Sequence, residues 1–161
     1  MSQIFVKNFL SCEDLKAELD GINLLARFVK TPQILEVHPY RIIYEFIESG
    51  SPNWELAAQE LKKLHQVKGL KFGYKKNNKI GKSVQINNEN DCWKAFYLES
   101  RLGYQTDLLT NDSLKSKMVN ITNVLRDTWN PDIQDACLCH GDFWSGNLMF
   151  DKNSKTVFID P

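Results

Sequence analysis

The chain begins on a β-prone run, Gln3-Ile4-Phe5-Val6-Lys7, which predicts a strand that pairs with a later segment or lies on a sheet edge. A helix is predicted next. Ser11 suits its N-cap, and Glu13 and Asp14 suit its positive start. Leu15, Leu19, Ile22, Leu25 and Phe28 recur at helical spacing until Thr31-Pro32 stops the run. Two short strands follow, Gln33 to Val37 and Arg41 to Ile47, turning at His38-Pro39-Tyr40.

Glu48-Ser49-Gly50-Ser51-Pro52 is rich in turn formers and precedes Asn53, an N-cap for a helix through Trp54, Ala57, Leu61 and Leu64. A lobe boundary is expected there, with residues 1–47 on one side, 48–53 as linker and 54–161 on the other. Lys71 to Lys82 holds five lysines and no acid, which predicts an exposed hairpin or loop. One further helix is expected around Trp93, Phe96, Tyr97 and Ser100. Another carries Leu114, Met118, Ile121, Leu125 and Trp129 up to Asn130-Pro131, and both stripes are expected to be core faces. The chain then shows three short apolar strands, Ala136 to His140, Asn147 to Phe150 and Thr156 to Ile159.

Composition narrows the class of function. Among 161 residues, twenty basic side chains balance twenty acidic ones, so no global basic field gathers phosphates along a nucleic acid. No apolar run approaches the ~18 residues of a spanning helix, and no charged leader precedes an apolar one, so a soluble cytoplasmic protein without membrane contact is expected. Four cysteines, Cys12, Cys92, Cys137 and Cys139, are too few and too irregular for a disulfide scaffold. Cys137-x-Cys139-His140 is better read as small apolar residues on a strand than as a zinc site, because no complementary pair exists. The lysine run, with only Phe72 and Tyr74 interleaved, is a weak nucleic-acid surface and a good solvated loop.

The chemistry concentrates in His140-Gly141-Asp142-Phe143-Trp144-Ser145-Gly146-Asn147 and in Asp160, which ends the run Val157-Phe158-Ile159. Asp151-Lys152-Asn153-Ser154-Lys155 reads as a turn, so the two flanking strands form an antiparallel hairpin. In such a hairpin Asn147 lies beside Asp160, and Asp142 sits in the loop entering the same end. An amide oxygen and a carboxylate are hard ligands of the kind magnesium accepts while keeping waters and phosphate oxygens. An aspartate that takes a hydroxyl proton, an asparagine five positions on and a second aspartate beyond a hairpin make a phosphoryl-transfer layout. His140, with a neutral ring, is expected to hold the loop through backbone hydrogen bonds rather than to move protons.

His-Gly-Asp-x-x-x-x-Asn is shared by the aminoglycoside phosphotransferase and choline kinase relatives of protein kinases. The fuller string from His140 to Asn147 resembles the fructosamine kinase (ketosamine 3-kinase) family. Phe72-Gly73-Tyr74, Asn78 to Gly81, Gln85, Trp93 to Phe96, Arg101-Leu102-Gly103 and Ile159-Asp160-Pro161 follow in the family's order, so the resemblance spans Phe5 to Pro161. It implies an α+β, protein-kinase-like two-lobed fold with a partial N-lobe and a partial helical C-lobe. The implied reaction moves the γ-phosphoryl group of ATP, with Mg²⁺, to a sugar hydroxyl of a small-molecule or protein-bound ketosamine, which serves deglycation. Phe5-Val6-Lys7 matches the family's third strand, so Lys7 would hold ATP phosphates and Glu18 would be its partner. Glu18 borders the apolar stripe of its helix, where a carboxylate is best tolerated when a cation meets it. Glu45-Phe46-Ile47 would receive the adenine ring. Asp142 would be the base, Asn147 and Asp160 would hold the metal, and His140, Gly141 and Trp144 would support the loop.

Family members carry two strands before the Phe-Val-Lys strand and a helical segment after the Asp-Pro, and the 161 residues are expected to be the middle of such a protein. The alternatives are a catalytically inactive fragment and an aminoglycoside- or choline-type phosphotransferase.

Overall fold

Ile42 and Tyr44 alternate with Ile43 along one short segment, and in the computed structural model, which describes residues 3–81, 83–133 and 135–161, this is the central strand of a sheet. β1 (Ile4–Asn8), β2 (Ile34–His38) and β3 (Arg41–Glu45) lie antiparallel in the order β1-β3-β2. β1 sits on the edge, with Lys7 opposite Ile42. α1 (Cys12–Leu25) starts where Ser11 accepts the Asp14 N–H at 3.1 Å. Its inward face is Leu15, Glu18, Ile22 and Leu25, one per helical turn. Leu15 and Ile22 pack on Ile42 and Tyr44 of the sheet. The helix ends earlier than its apolar spacing predicts, so Phe28 falls in the turn after it. β3 likewise stops at Glu45, whose N–H donates to Gln33 O at 2.9 Å, and Phe46 and Ile47 lie beyond the strand.

α2 (Trp54–His65) is capped by Asn53, which accepts the Leu56 N–H at 3.0 Å. Leu64 of α2 packs with Leu25, Val29 and Phe158 in a core that Leu61, Leu138 and Leu148 complete. Phe158 belongs to the hairpin of β6 (Leu148–Phe150) and β7 (Thr156–Phe158), whose register pairs Leu148 with Phe158 and Phe150 with Thr156. All three β7 residues are buried, so the hairpin is fastened by its inner strand. The Phe158 N–H donates to Lys30 O at 2.9 Å, which fixes that strand to the segment leaving α1.

By contact the chain divides into two compact units, one running to Val67 and resuming at Leu138–Pro161, the other Lys68–Cys137. The Glu48 to Asn53 segment lies inside the first. In the second, β4 (Asn78–Ile80) and β5 (Ser83–Gln85) form a hairpin, so the lysine run is a loop that leads into a strand, with Lys82 outside the described residues. α3 (Trp93–Phe96), a π-helical stretch at Tyr97–Gly103 and α4 (Tyr104–Asp107) continue one another. Arg101 bonds the Ile86 carbonyl and Asn87 Oδ1, and Asn87 in turn bonds Lys76 O and Asn78 Oδ1, which pins the loop to the π-helical turn.

Two expectations are corrected. In α5 (Asp112–Thr128) the covered side carries Met118, Thr122 and Leu125, whereas Leu114 and Ile121 are exposed. At about 100° per residue the buried face is centred between Met118 and Thr122, which leaves Leu114 and Ile121 at its edge. The strand expected over 136–140 does not form among the described residues. Cys137 makes an isolated bridge with Lys68, and Leu138 donates to Val67 O at 2.8 Å, a pairing too short for a strand.

Candidate active site

Lys7 stands on the edge strand and Glu18 on the inward face of α1. Lys7 Nζ lies 2.7 Å from Glu18 Oε1 and 2.9 Å from Asp160 Oδ1, so one ammonium joins carboxylates from the first helix and from the last residues of the chain. Tyr44, buried on β3, donates its hydroxyl to the same Glu18 oxygen at 3.2 Å. Burial pushes the Glu18 carboxyl above its ordinary range, against the lowering effect of Lys7 and of the Tyr44 hydroxyl. Burial, and then the neighbouring Glu18, push the Tyr44 phenol up as well. Tyr44 is the participant that sequence reasoning missed. Its signal was a polar tip on the alternate strand face that Ile42 marks as buried.

The loop after His140 reaches the same place. Gly141 has φ 95°, a conformation that L side chains rarely adopt, and it aims Asp142 toward the hairpin. Ser145–Asn147 is a single 3₁₀ turn in which the Asn147 N–H donates to Trp144 O at 3.0 Å. The buried Asn147 side chain then gathers the site. Its Nδ2 donates to Asp142 O at 2.9 Å, Asp142 Oδ2 at 3.2 Å and Asp160 O at 3.4 Å. Three acceptors on one side require the NH₂ group, and not the amide oxygen, to face Asp142 and Asp160 here. The Ile159 N–H closes the hairpin end on Asn147 O at 3.1 Å. Asp160 is in the left-handed region at φ 54°, which aspartate tolerates better than most residues. Pro161 lies against Gly21 of α1, where an added Cβ would meet the ring at 2.8 Å.

The backbone interaction expected of His140 is made with Ile159 and is a weak one. The ring is buried, and neither nitrogen meets a partner in good geometry. Its place is set by Phe143 and Phe158, at centroid distances of 5.7 and 6.1 Å. Burial lowers its basicity, with the nearby Ile159 backbone, Asp142 and Asp160 opposing. Trp144 is exposed and lines an apolar groove of about 380 Å³ with Trp54, Ala57, Leu61 and Phe143. Glu45 is spent on Gln33 through both its N–H and its carboxylate, which accepts the Gln33 N–H at 3.0 Å.

The oxygens gathered at the hairpin end, the Asp142 carboxylate and the Asp160 carbonyl and carboxylate, are hard donors that fit magnesium by chemistry, and Asn147 joins them when its amide turns its oxygen to the site. Among the described residues there is no group of three His, Cys, Asp or Glu side chains placed to enclose a metal.

A family model for fructosamine kinases matches residues 2–161. A probable ketoamine kinase of Enterococcus faecium is 31% identical over 155 residues, covering 91% of this chain and 56% of the relative. A chloroplastic protein-ribulosamine 3-kinase of Arabidopsis thaliana is 36% identical over 130 residues, covering 74% and 39%. The chain therefore spans about half the length of the curated relatives it matches. A crystal structure from Haemophilus somnus 129PT, described as a candidate fructosamine-3-kinase, superposes with a TM-score of 0.77 at 20% identity, over 98% of this chain and 57% of that one. The α+β, kinase-like fold is shared with that structure.

Proposed function

The chain belongs to the fructosamine kinase family, and from that premise we propose that it transfers the γ-phosphoryl group of ATP to a sugar hydroxyl of a ketosamine, at its 3-position. The observation that carries this reading is the meeting of Lys7, Glu18, Asp142, Asn147 and Asp160 through four contacts no longer than 3.4 Å, two by way of Lys7 and two by way of Asn147. The names of the relatives, ketoamine and ribulosamine kinases, support the acceptor class.

In this reading Lys7, held by Glu18, orients the phosphates of ATP. The chain after β3, at Phe46 and Ile47, offers its backbone to adenine, with Glu45 fixing the end of the strand. Asp142 accepts the proton of the attacking hydroxyl, so that the oxygen bonds phosphorus as the bond to ADP breaks. Asn147, with its amide turned so that the oxygen faces the site, and Asp160 would hold magnesium, which when bound neutralises charge on the transferring group. Gly141 and Trp144 shape the loop around Asp142, and His140 anchors it through aromatic packing. A lobe boundary at Glu48 to Asn53 is part of the same proposal. So is action in the cytoplasm on small-molecule or protein-bound ketosamines, without nucleic acid. No helix among the described residues is long and apolar enough to cross a membrane.

The test is turnover of Mg-ATP with a ribulosyl- or fructosyl-lysine derivative, followed by detection of the phosphorylated sugar. Asp142→Asn is expected to abolish turnover while the circular dichroism and melting profile stay unchanged. A folded, monodisperse sample that yields no phosphorylated product with any ketosamine refutes the reading.

A further inference from the structure

Asp151 is a buried charge at the turn end of the β6–β7 hairpin, the end away from Asn147 and Asp160. One of its carboxylate oxygens does local work: Oδ1 accepts the Asn153 and Lys155 N–H groups, both at 2.9 Å, and so shapes the turn. A neutral asparagine would suffice for that. The other oxygen, Oδ2, meets Lys30 Nζ at 2.6 Å, and the Asp151 side chain is only 11% exposed. Burying a charge is costly unless it is paired, so the ionised form is explained by Lys30 and not by the turn.

Lys30 is itself fastened to the hairpin, because its carbonyl receives the Phe158 N–H at 2.9 Å. Residue 30 therefore grips both strands, β7 through its backbone and the end of β6 through its side chain. The linker grips the same spot. Gly50 donates to Phe150 O at 2.8 Å, Ser49 bridges Asp151, and a Cβ at Gly50 would run into the Asp151 carbonyl. Three segments converge on Asp151: the exit from α1, which carries Glu18, the linker after β3, and the hairpin that carries Asn147 and Asp160.

The geometry points to Asp151 as a positioning residue for phosphoryl transfer, clamped by Lys30 and Gly50 so that the hairpin is held at its turn end while Lys7 holds the site end. Without this clamp the hairpin has one attachment fewer to the segments bearing Glu18 and the linker, and it can pivot about the Lys7–Asp160 contact. A shift of about 1 Å in aligned reacting groups is enough to slow transfer by one to two orders of magnitude. The kinetic consequence rests on the proposed kinase reaction, whereas the clamp itself does not.

The test pairs Asp151→Asn, which keeps the turn acceptor and removes the charge, with Lys30→Met, which removes the partner and leaves the turn intact. Hydrogen exchange on the 161-residue chain is the first readout. The Gly50 and Phe158 amides are expected to exchange at least about tenfold faster in both variants, while the amides of Asn153, Lys155 and the middle of α2 keep their protection. The second readout is a fall in kcat of about tenfold or more with KM for ATP within about twofold, since misalignment and not nucleotide binding is the defect. Unchanged exchange at Gly50 and Phe158, or a rise shared by every amide of α2, overturns the clamp. Faster exchange with unchanged kcat overturns its role in positioning. If the parent chain fails to turn over, the kinase reading fails, and the exchange comparison still decides whether Asp151 clamps the hairpin.

Discussion

Replacing Lys7 by methionine keeps an unbranched stem on β1 and deletes the one ammonium that reaches Glu18 among the described residues. The Glu18 side chain is 9% exposed and that of Lys7 is 24% exposed. Breaking a fully buried pair costs about 3–5 kcal/mol, because the remaining charge is stranded. Here water reaches the lysine side and the Tyr44 hydroxyl stays on Glu18, so the expected loss is lower, about 2 kcal/mol at pH 8. The Asp160 side chain is half exposed, and its pair with Lys7 adds about 1 kcal/mol at most.

The sign of the pH dependence follows from Glu18. Its folded pKa already lies above the ordinary value through burial, and Lys7 is the main influence holding it down. Removing Lys7 raises it further. A carboxyl with a raised folded pKa contributes its stability in full below the unfolded value, and that contribution is lost as pH rises through the folded value. The destabilisation by Lys7→Met is therefore expected to be smaller at pH 5, under about 1 kcal/mol, than at pH 8. Urea unfolding of parent and variant at both pH values measures it. An equal loss at pH 5 and pH 8, or a loss under about 0.5 kcal/mol at pH 8, refutes the account of Glu18 as a buried acid stabilised by Lys7.

Three further outcomes are expected. Tyr44→Phe deletes a hydroxyl whose 3.2 Å contact is long for a bond to a carboxylate, so the loss should be about 1 kcal/mol, a melting shift of about 2–4 °C. Phe158→Ala removes a fully buried ring from the core under the hairpin and should cost about 3–5 kcal/mol in denaturant unfolding, more than any exposed aromatic such as Trp144. The Lys30 ammonium and the Lys155 N–H hold the Asp151 carboxyl down to about 2. A depressed carboxyl stabilises the fold above its unfolded pKa, near 3.8, and that stability is lost as pH falls toward 2. Thermal midpoints between pH 5 and pH 2 should fall more steeply for the parent than for Lys30→Met, and parallel curves would contradict the pairing.

The local grammar of the chain was readable where a single residue type forces a backbone outcome. Ser11 and Asn53 cap the helices assigned to them, and the turn at 151–155 brings Asn147 beside Asp160. Periodicity was less reliable at the edge of a stripe. Ile121 and Thr122 differ by one position, and only packing decides that the threonine is covered. Polar groups that act across long separations were unreadable individually. Nothing near Asp151 in sequence marks a partner 121 residues earlier, and nothing near Tyr44 marks a carboxylate on the preceding helix. His140 was legible only in part: a histidine beside a catalytic motif invites backbone contacts, and the aromatic neighbours that also hold it come from a loop and a strand.

Charge around the site carries one more consequence. The side chains brought together are one lysine against three carboxylates, Glu18, Asp142 and Asp160, and Lys7 already contacts two of those acids. With one positive charge against three carboxylates, the cluster is not positive. The chain as a whole is neutral, with twenty basic and twenty acidic residues, so no distant field makes up the deficit. A triphosphate approaching this cluster meets repulsion unless a divalent cation accompanies it. The affinity for ATP is therefore expected to fall about tenfold or more when magnesium is chelated, equivalent to about 1.4 kcal/mol or more of binding free energy. Titration calorimetry with and without EDTA measures the difference. Equal affinity in the two conditions would mean that phosphate is held by basic groups outside this cluster, and would remove Asn147 and Asp160 from nucleotide binding.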